Sequence, residues 1–170
     1  QKWQEKRTKS KLYQELIQKQ QTNIYGLEMA QEISNAEIKS AEDKRKELET
    51  KATDLKDLMK SKYGESKDIE GLKLCYDAHR KAQIMNNNPK DIEASKEKTD
   101  KAKELVKVIM PEIDMNILTQ EIENLFMAET ELLTIPRRIE GQEKLIEDNI
   151  LAIGRNEKTI KLIKEIIAKL

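Results

Sequence analysis

Cys75 and His79 are the one cysteine and the one histidine of this 170-residue chain, four residues apart. On a helix, that spacing puts a thiol and an imidazole on one face, where together they could hold a soft cation. A zinc site needs three or four protein ligands, and no further cysteine or histidine exists to complete one. Arg80 and Lys81 follow directly, so the imidazole is expected as an ordinary residue of a basic helix surface. The adjacent carboxylates Glu42 and Asp43, and Glu147 and Asp148, are what any solvated helix face displays. A Gly-rich phosphate loop and a His-Glu-x-x-His zinc helix are both missing. The sequence therefore predicts no catalytic residue, no metal and no cofactor, and a chain that is not an enzyme.

The elements that carry these side chains are expected to be long helices. Charged residues make up 38% of the chain and aromatic residues 4%, with five Gly and three Pro. So few rings cannot fill a thick core, whereas a thin seam between helices needs few. From Trp3 to Met59, apolar residues recur in steps of three and four through Tyr13, Ile17, Ile24, Leu48 and Leu55, a heptad pattern. Folded at Asn87, the chain becomes a mirror: Ile24 meets Ile150, Met59 meets Met115, Ile69 meets Leu105 and Leu72 meets Ala102. The fold class this predicts is all-α, an elongated antiparallel coiled-coil hairpin that turns at Asn86, Asn87, Asn88 and Pro89. Asn88 suits an N-cap and Pro89 the first helical position.

The expected organisation is one helical domain over residues 1–170, with an arm at 1–63, a distal hairpin at 64–110 and a return arm at 111–170. The pattern lapses at Gly64 and again at Pro111, which reflect onto one another and so predict a joint. Because the 3–4 step on the return arm runs through Pro111 and Pro136, both prolines are expected to kink the helix. The same phase places Glu143, Ile150, Glu157 and Lys164 in the seam. Reflection sets Arg45 against Glu129 and Gln31 against Glu143, polar pairs of the kind that fix coiled-coil register.

One two-stranded seam does not use all the apolar residues. Phe126, Leu133, Leu145, Ile163, Ile166 and Leu170 form a surplus flank on the return arm, and Leu12, Leu16, Ala30 and Ile33 echo it on the first arm. A further helix is expected to cover them, most simply from a second copy, making a homodimer. Near the turn, His79, Arg80, Lys81 and Lys90 surround Ile84 and Met85, a basic tip with an apolar knob suited to protein partners.

The 32 basic groups cancel the 32 acidic ones, and each short basic cluster has acids within a turn or two. Nucleic-acid binding is therefore not expected, and a membrane partner is disfavoured for want of a sustained basic face. Residues 1–63 carry 14 basic and 11 acidic groups, and residues 111–170 carry 8 and 12, which mildly favours pairing of the arms. A lone cysteine and the lack of a signal pattern fit a cytoplasmic or other intracellular setting. The periodicity reaches Leu170 without a stop signal, the mark of a piece of a longer protein. The expected function is a structural or interaction module, a spacer or scaffold for protein partners. The alternatives are a stalk-like mechanical arm of a motor or nucleotide-driven ATPase and a dimeric membrane-curvature module.

Overall fold

The computed structural model describes residues 1–85 and 88–170. Among them are four α-helices and no strand: α1 (Lys2–Tyr63), α2 (Lys67–Met85), α3 (Pro89–Ile109) and α4 (Met115–Lys169). The long helices α1 and α4 pack antiparallel, and α2 and α3 form a helical hairpin. The expected turn falls partly on Asn86 and Asn87, which lie outside the described residues.

Local chemistry sets each helix end. Gly64 takes a left-handed φ of 70° and its N–H donates to Lys60 O at 2.8 Å, closing α1 as glycine does at little steric cost. Ser66 opens α2, its Oγ accepting from Ile69 N at 3.4 Å. Asn88 has extended φ and ψ and accepts from Lys90 N at 3.1 Å, with Pro89 beginning α3. Asp114 caps α4 by accepting from Asn116 N at 3.0 Å and Ile117 N at 3.3 Å.

The two prolines behave differently. Pro111 does not kink a continuous helix, as the 3–4 step suggests, but lies in the connection between α3 and α4. Proline disfavours the helical region for the residue before it, and Met110 leaves that region at φ −127° and ψ 76° before Asp114 restarts the chain. Pro136 lies inside α4, which continues through it. Lys62 and Tyr63 of α1 line one recess with Met110, Glu112 and Ile113, so the two breaks sit together.

The chain divides into two compact units, Gln1–Lys44 with Thr134–Leu170, and Arg45–Leu133. In the first unit, Ile17, Ile160 and Ile163 form a buried cluster against which Tyr13, Ile24 and Ile167 pack. A fold at Asn87 would set Ile17 opposite Glu157; instead Ile17 is buried in a cluster with Ile160 and Ile163, while Glu157 is exposed. The buried phase of α4 also differs from the expected one. Ile139, Gln142, Ile146, Asn149, Ile153 and Asn156 are the sheltered positions, while Glu143, Ile150, Glu157 and Lys164 are exposed. Both phases share the isoleucines 139, 146, 153, 160 and 167. The other half of the seam holds either two glutamates, a lysine and Ile150, or three uncharged amides and Ile163, and amides cost less to desolvate than charges. Asn156 also satisfies itself, donating to Ala152 O at 2.8 Å.

The second unit is thicker. Leu72, Val106, Leu118, Ile122, Leu125 and Phe126 are each at most 3% exposed, drawn from α2, α3 and α4, with Leu48, Ala52 and Met59 buried on α1. On α3 the inner face runs through Thr99 to Val106, while Leu105, expected opposite Ile69, is 51% exposed. No helix among the described residues is long and apolar enough to cross a membrane.

Candidate functional site

The chemistry-bearing residues of α2 turn into the second unit. Arg80 reaches Glu123 of α4 with two hydrogen bonds, Nε to Oε2 at 3.1 Å and Nη2 to Oε1 at 2.9 Å, a bidentate pair. Tyr76 donates to the same Oε2, and the guanidinium lies 5.7 Å from the Phe126 ring centroid. Arg80, assigned from sequence to an outward tip, thus holds α2 against α4. His79 Nδ1 lies 2.9 Å from Ser95 Oγ, and that hydroxyl already donates to Ile92 O at 2.9 Å, so the network assigns the proton between them to Nδ1. His79 and Ser95 mirror one another about Asn87, so the fold point read from sequence holds for this pair. Lys81, Lys90, Ile84 and Met85 are not sheltered in this way, and Met85 is 82% exposed.

Glu129, expected to face Arg45 in a two-helix seam, is reached by α2. The Lys73 ammonium lies 3.2 Å from Glu129 Oε1, outside hydrogen-bonding alignment, and donates to Asp77 at 2.8 Å. Burial acts to lower the Lys73 pKa, but the hydrogen bond and charges of Asp77, together with Glu129, outweigh it, and the net shift is upward. A recess of 440 Å³ beside Gly64 has Met59, Ile69 and Leu125 among its walls and Lys60, Lys73 and Glu129 among its polar residues. Lys60 is paired with Glu65 at 2.8 Å, so two of the three lysines that line the recess, Lys60 and Lys73, are already matched.

Tyr63 donates to Glu121 Oε1 at 2.7 Å, and Lys62 donates to the same oxygen at 3.2 Å. Burial, then the bond to Glu121, pushes the Tyr63 pKa up to about 12, and burial with Glu123 does the same for Tyr76. A raised folded-state value means the neutral hydroxyl is the favoured form. The stability each contributes is complete below about pH 10 and is lost as the pH climbs through about 12. Absorbance titration of phenolate is therefore expected to show a component near pH 12 that shrinks in Tyr63→Phe and again in Tyr63→Phe/Tyr76→Phe. An unchanged high-pH component in the double variant would refute the assignment.

The surplus apolar flank resolves into two populations. Phe126 and Ile163 are 3% and 9% exposed and belong to the protein's own cores, which corrects their assignment to an outer flank. Leu133, Leu145, Ile166 and Leu170 stay exposed.

In the first unit one ion pair shows which exposed residues share a side. Glu37 of α1 lies 3.7 Å from Arg138 of α4, so the flanks carrying these two residues adjoin. Steps of seven return to the same flank of a coiled-coil helix, and a step of three reaches its outer edge. From Glu37 they lead to Ala30, Leu16 and Lys9, with Ile33, Gly26, Leu12 and Lys19 on the edge. From Arg138 they lead to Leu145, Ala152 and Ile166, with Leu162 on the edge. The apolar residues read from sequence as surplus on both arms, Leu12, Leu16, Ala30 and Ile33 with Leu145 and Ile166, therefore lie along one side of the first unit. That side is open: Leu12 is 55%, Ile33 65% and Leu162 57% exposed, and a Cβ placed on Gly26 or Gly141 meets nothing within 4 Å. Heptad arithmetic on each arm identified most of these residues, but which flanks adjoin needed the Glu37–Arg138 contact.

No protein-family model matches the chain, and no curated protein or solved structure matches it.

Proposed function

We propose that the chain is a non-enzymatic interaction module, a coiled-coil hairpin that serves as a spacer or scaffold and takes a further helix from a protein partner on the open side of its first unit. The observation that carries this reading is the alignment of Leu12, Leu16 and Ile33 with Leu145, Leu162 and Ile166 on one side of two antiparallel helices. Two helices with adjoining apolar flanks form the trough in which a third helix buries its own stripe, the helix-in-groove mode of recognition. Gly26, Ala30 and Ala152 lie between the leucine clusters and allow a close approach. Support for a non-catalytic role comes from the polar side chains themselves: Tyr76, His79 and Arg80 bond to neighbouring helices, and Lys73 lies against Glu129 of α4.

A second copy, the occupant expected from sequence, is a poorer fit than a different partner. Face to face in parallel, two copies would oppose the same cations. In antiparallel, those cations would lie over a stretch with few charges beyond the Glu37–Arg138 pair and Asp148.

Glycine gives a test in which stability and binding move in opposite directions. Gly26→Ala adds a methyl in open space within a helix and is expected to stabilise the chain by about 1 kcal/mol, read from urea unfolding. The bulkier Gly26→Leu/Ala30→Leu is expected to keep helicity while roughly halving capture of a labelled amphipathic helix by filling the trough. Helix binding that ignores these changes and the further change Leu16→Ser would reject this side as the docking surface.

A further inference from the structure

We propose that the partner helix is amphipathic and ends in a cluster of acidic residues, which seats against a cationic end of the open side; this rests on the docking reading above. Steps of seven and three from Glu37 and Arg138 assign Lys2, Lys9 and Lys19 of α1, and Arg155 and Lys169 of α4, to the same side as Leu12, Leu16, Leu162 and Ile166. All five cations are exposed. At this end the side carries one acid, Glu5, whereas Glu15, Glu157 and Glu165 fall on other faces. The acids that offset these cations along the sequence are thus sorted away from them in space.

The result is an apolar strip with positive charge gathered at one end. From Leu12 to Ile33 the strip runs roughly 30 Å at 1.5 Å per residue, the length of a helix of about 20 residues. Such a strip orients its occupant: apolar burial supplies contact, and opposite charge at one end selects direction and partner. Nucleic acid is poorly served, because Leu12, Leu16, Leu162 and Ile166 lie among the cations and none is a stacking ring. A bilayer is poorly served by a strip whose middle is recessed at Gly26, Ala30 and Ala152, where a cylinder fits.

The test uses the 170-residue chain and two labelled synthetic helices of about 20 residues. Both have leucines at i, i+3, i+4 and i+7; one ends in four glutamates and the other in four lysines. Fluorescence anisotropy is expected to show tighter binding of the acidic-ended peptide by roughly tenfold or more, with the preference shrinking as salt is raised. The variant Lys9→Glu/Lys19→Glu/Arg155→Glu should erase the preference, while the off-face control Lys11→Glu/Lys158→Glu/Lys161→Glu should keep it, each verified helical by circular dichroism. Equal binding of both peptides, lost in Leu16→Asp, would overturn the charge inference and leave the docking reading standing. Binding of neither peptide would overturn both. Binding of vesicles containing about 30% phosphatidylserine in preference to either peptide would overturn the inference in favour of a lipid surface.

Discussion

Phe126→Ala is expected to destabilise the protein by about 3–5 kcal/mol without changing its oligomeric state. The ring is 3% exposed in the second unit, one turn along α4 from the buried Ile122 and next to the buried Leu125. It also carries the Arg80 guanidinium at 5.7 Å. Truncation removes a large buried area and leaves a cavity that fixed helices cannot close. Urea unfolding followed by circular dichroism measures the loss, and sedimentation velocity measures association. If Phe126 belonged to an outer flank between copies, the substitution would instead shift association and leave the unfolding midpoint near its original value. That result would return Phe126 to the docking surface.

Glu123→Ala is expected to cost about 2–4 kcal/mol, because it leaves Arg80 and Tyr76 partly buried with no carboxylate to receive them. The side chains of Arg80 and Glu123 are 29% and 22% exposed, enough shelter for the lost partner to matter. Glu123→Gln keeps the shape and one acceptor and should cost less. The double variant Arg80→Met/Glu123→Leu should recover most of the loss, since it removes the stranded charge along with its partner. A loss below about 0.5 kcal/mol in Glu123→Ala would mean that this pair does not tie α2 to α4.

These two residues show where the sequence was legible and where it was not. The helices, the break at Gly64 and the cap at Asn88 follow from local chemistry, since glycine and a capping amide act on their own backbone, whereas the 3–4 step hid the full break at Pro111. Reflection finds partners where α2 and α3 turn back on one another. His79 meets Ser95, as reflection about Asn87 requires. Glu129 faces Lys73 and Arg80 faces Glu123 because four helical segments, not two, share the second unit. Within the first unit the isoleucine heptad was plain, but the other half of the α4 seam was decided by one position in each seven. There the expected phase would have buried Glu143, Glu157 and Lys164 in place of Gln142, Asn156 and Ile163.

By itself the sequence determined that this protein is built of long helices with an apolar seam. Helix and seam are properties of periodicity and capping, which act within a few turns of chain. The tertiary structure decided which flanks adjoin, and hence that Leu12, Leu16, Leu145 and Ile166 share one open side. It also decided that Lys9, Lys19 and Arg155 share that side while Glu15, Glu157 and Glu165 fall on other faces. A linear chain shows the spacing of charges, and only packing assigns them to a common face.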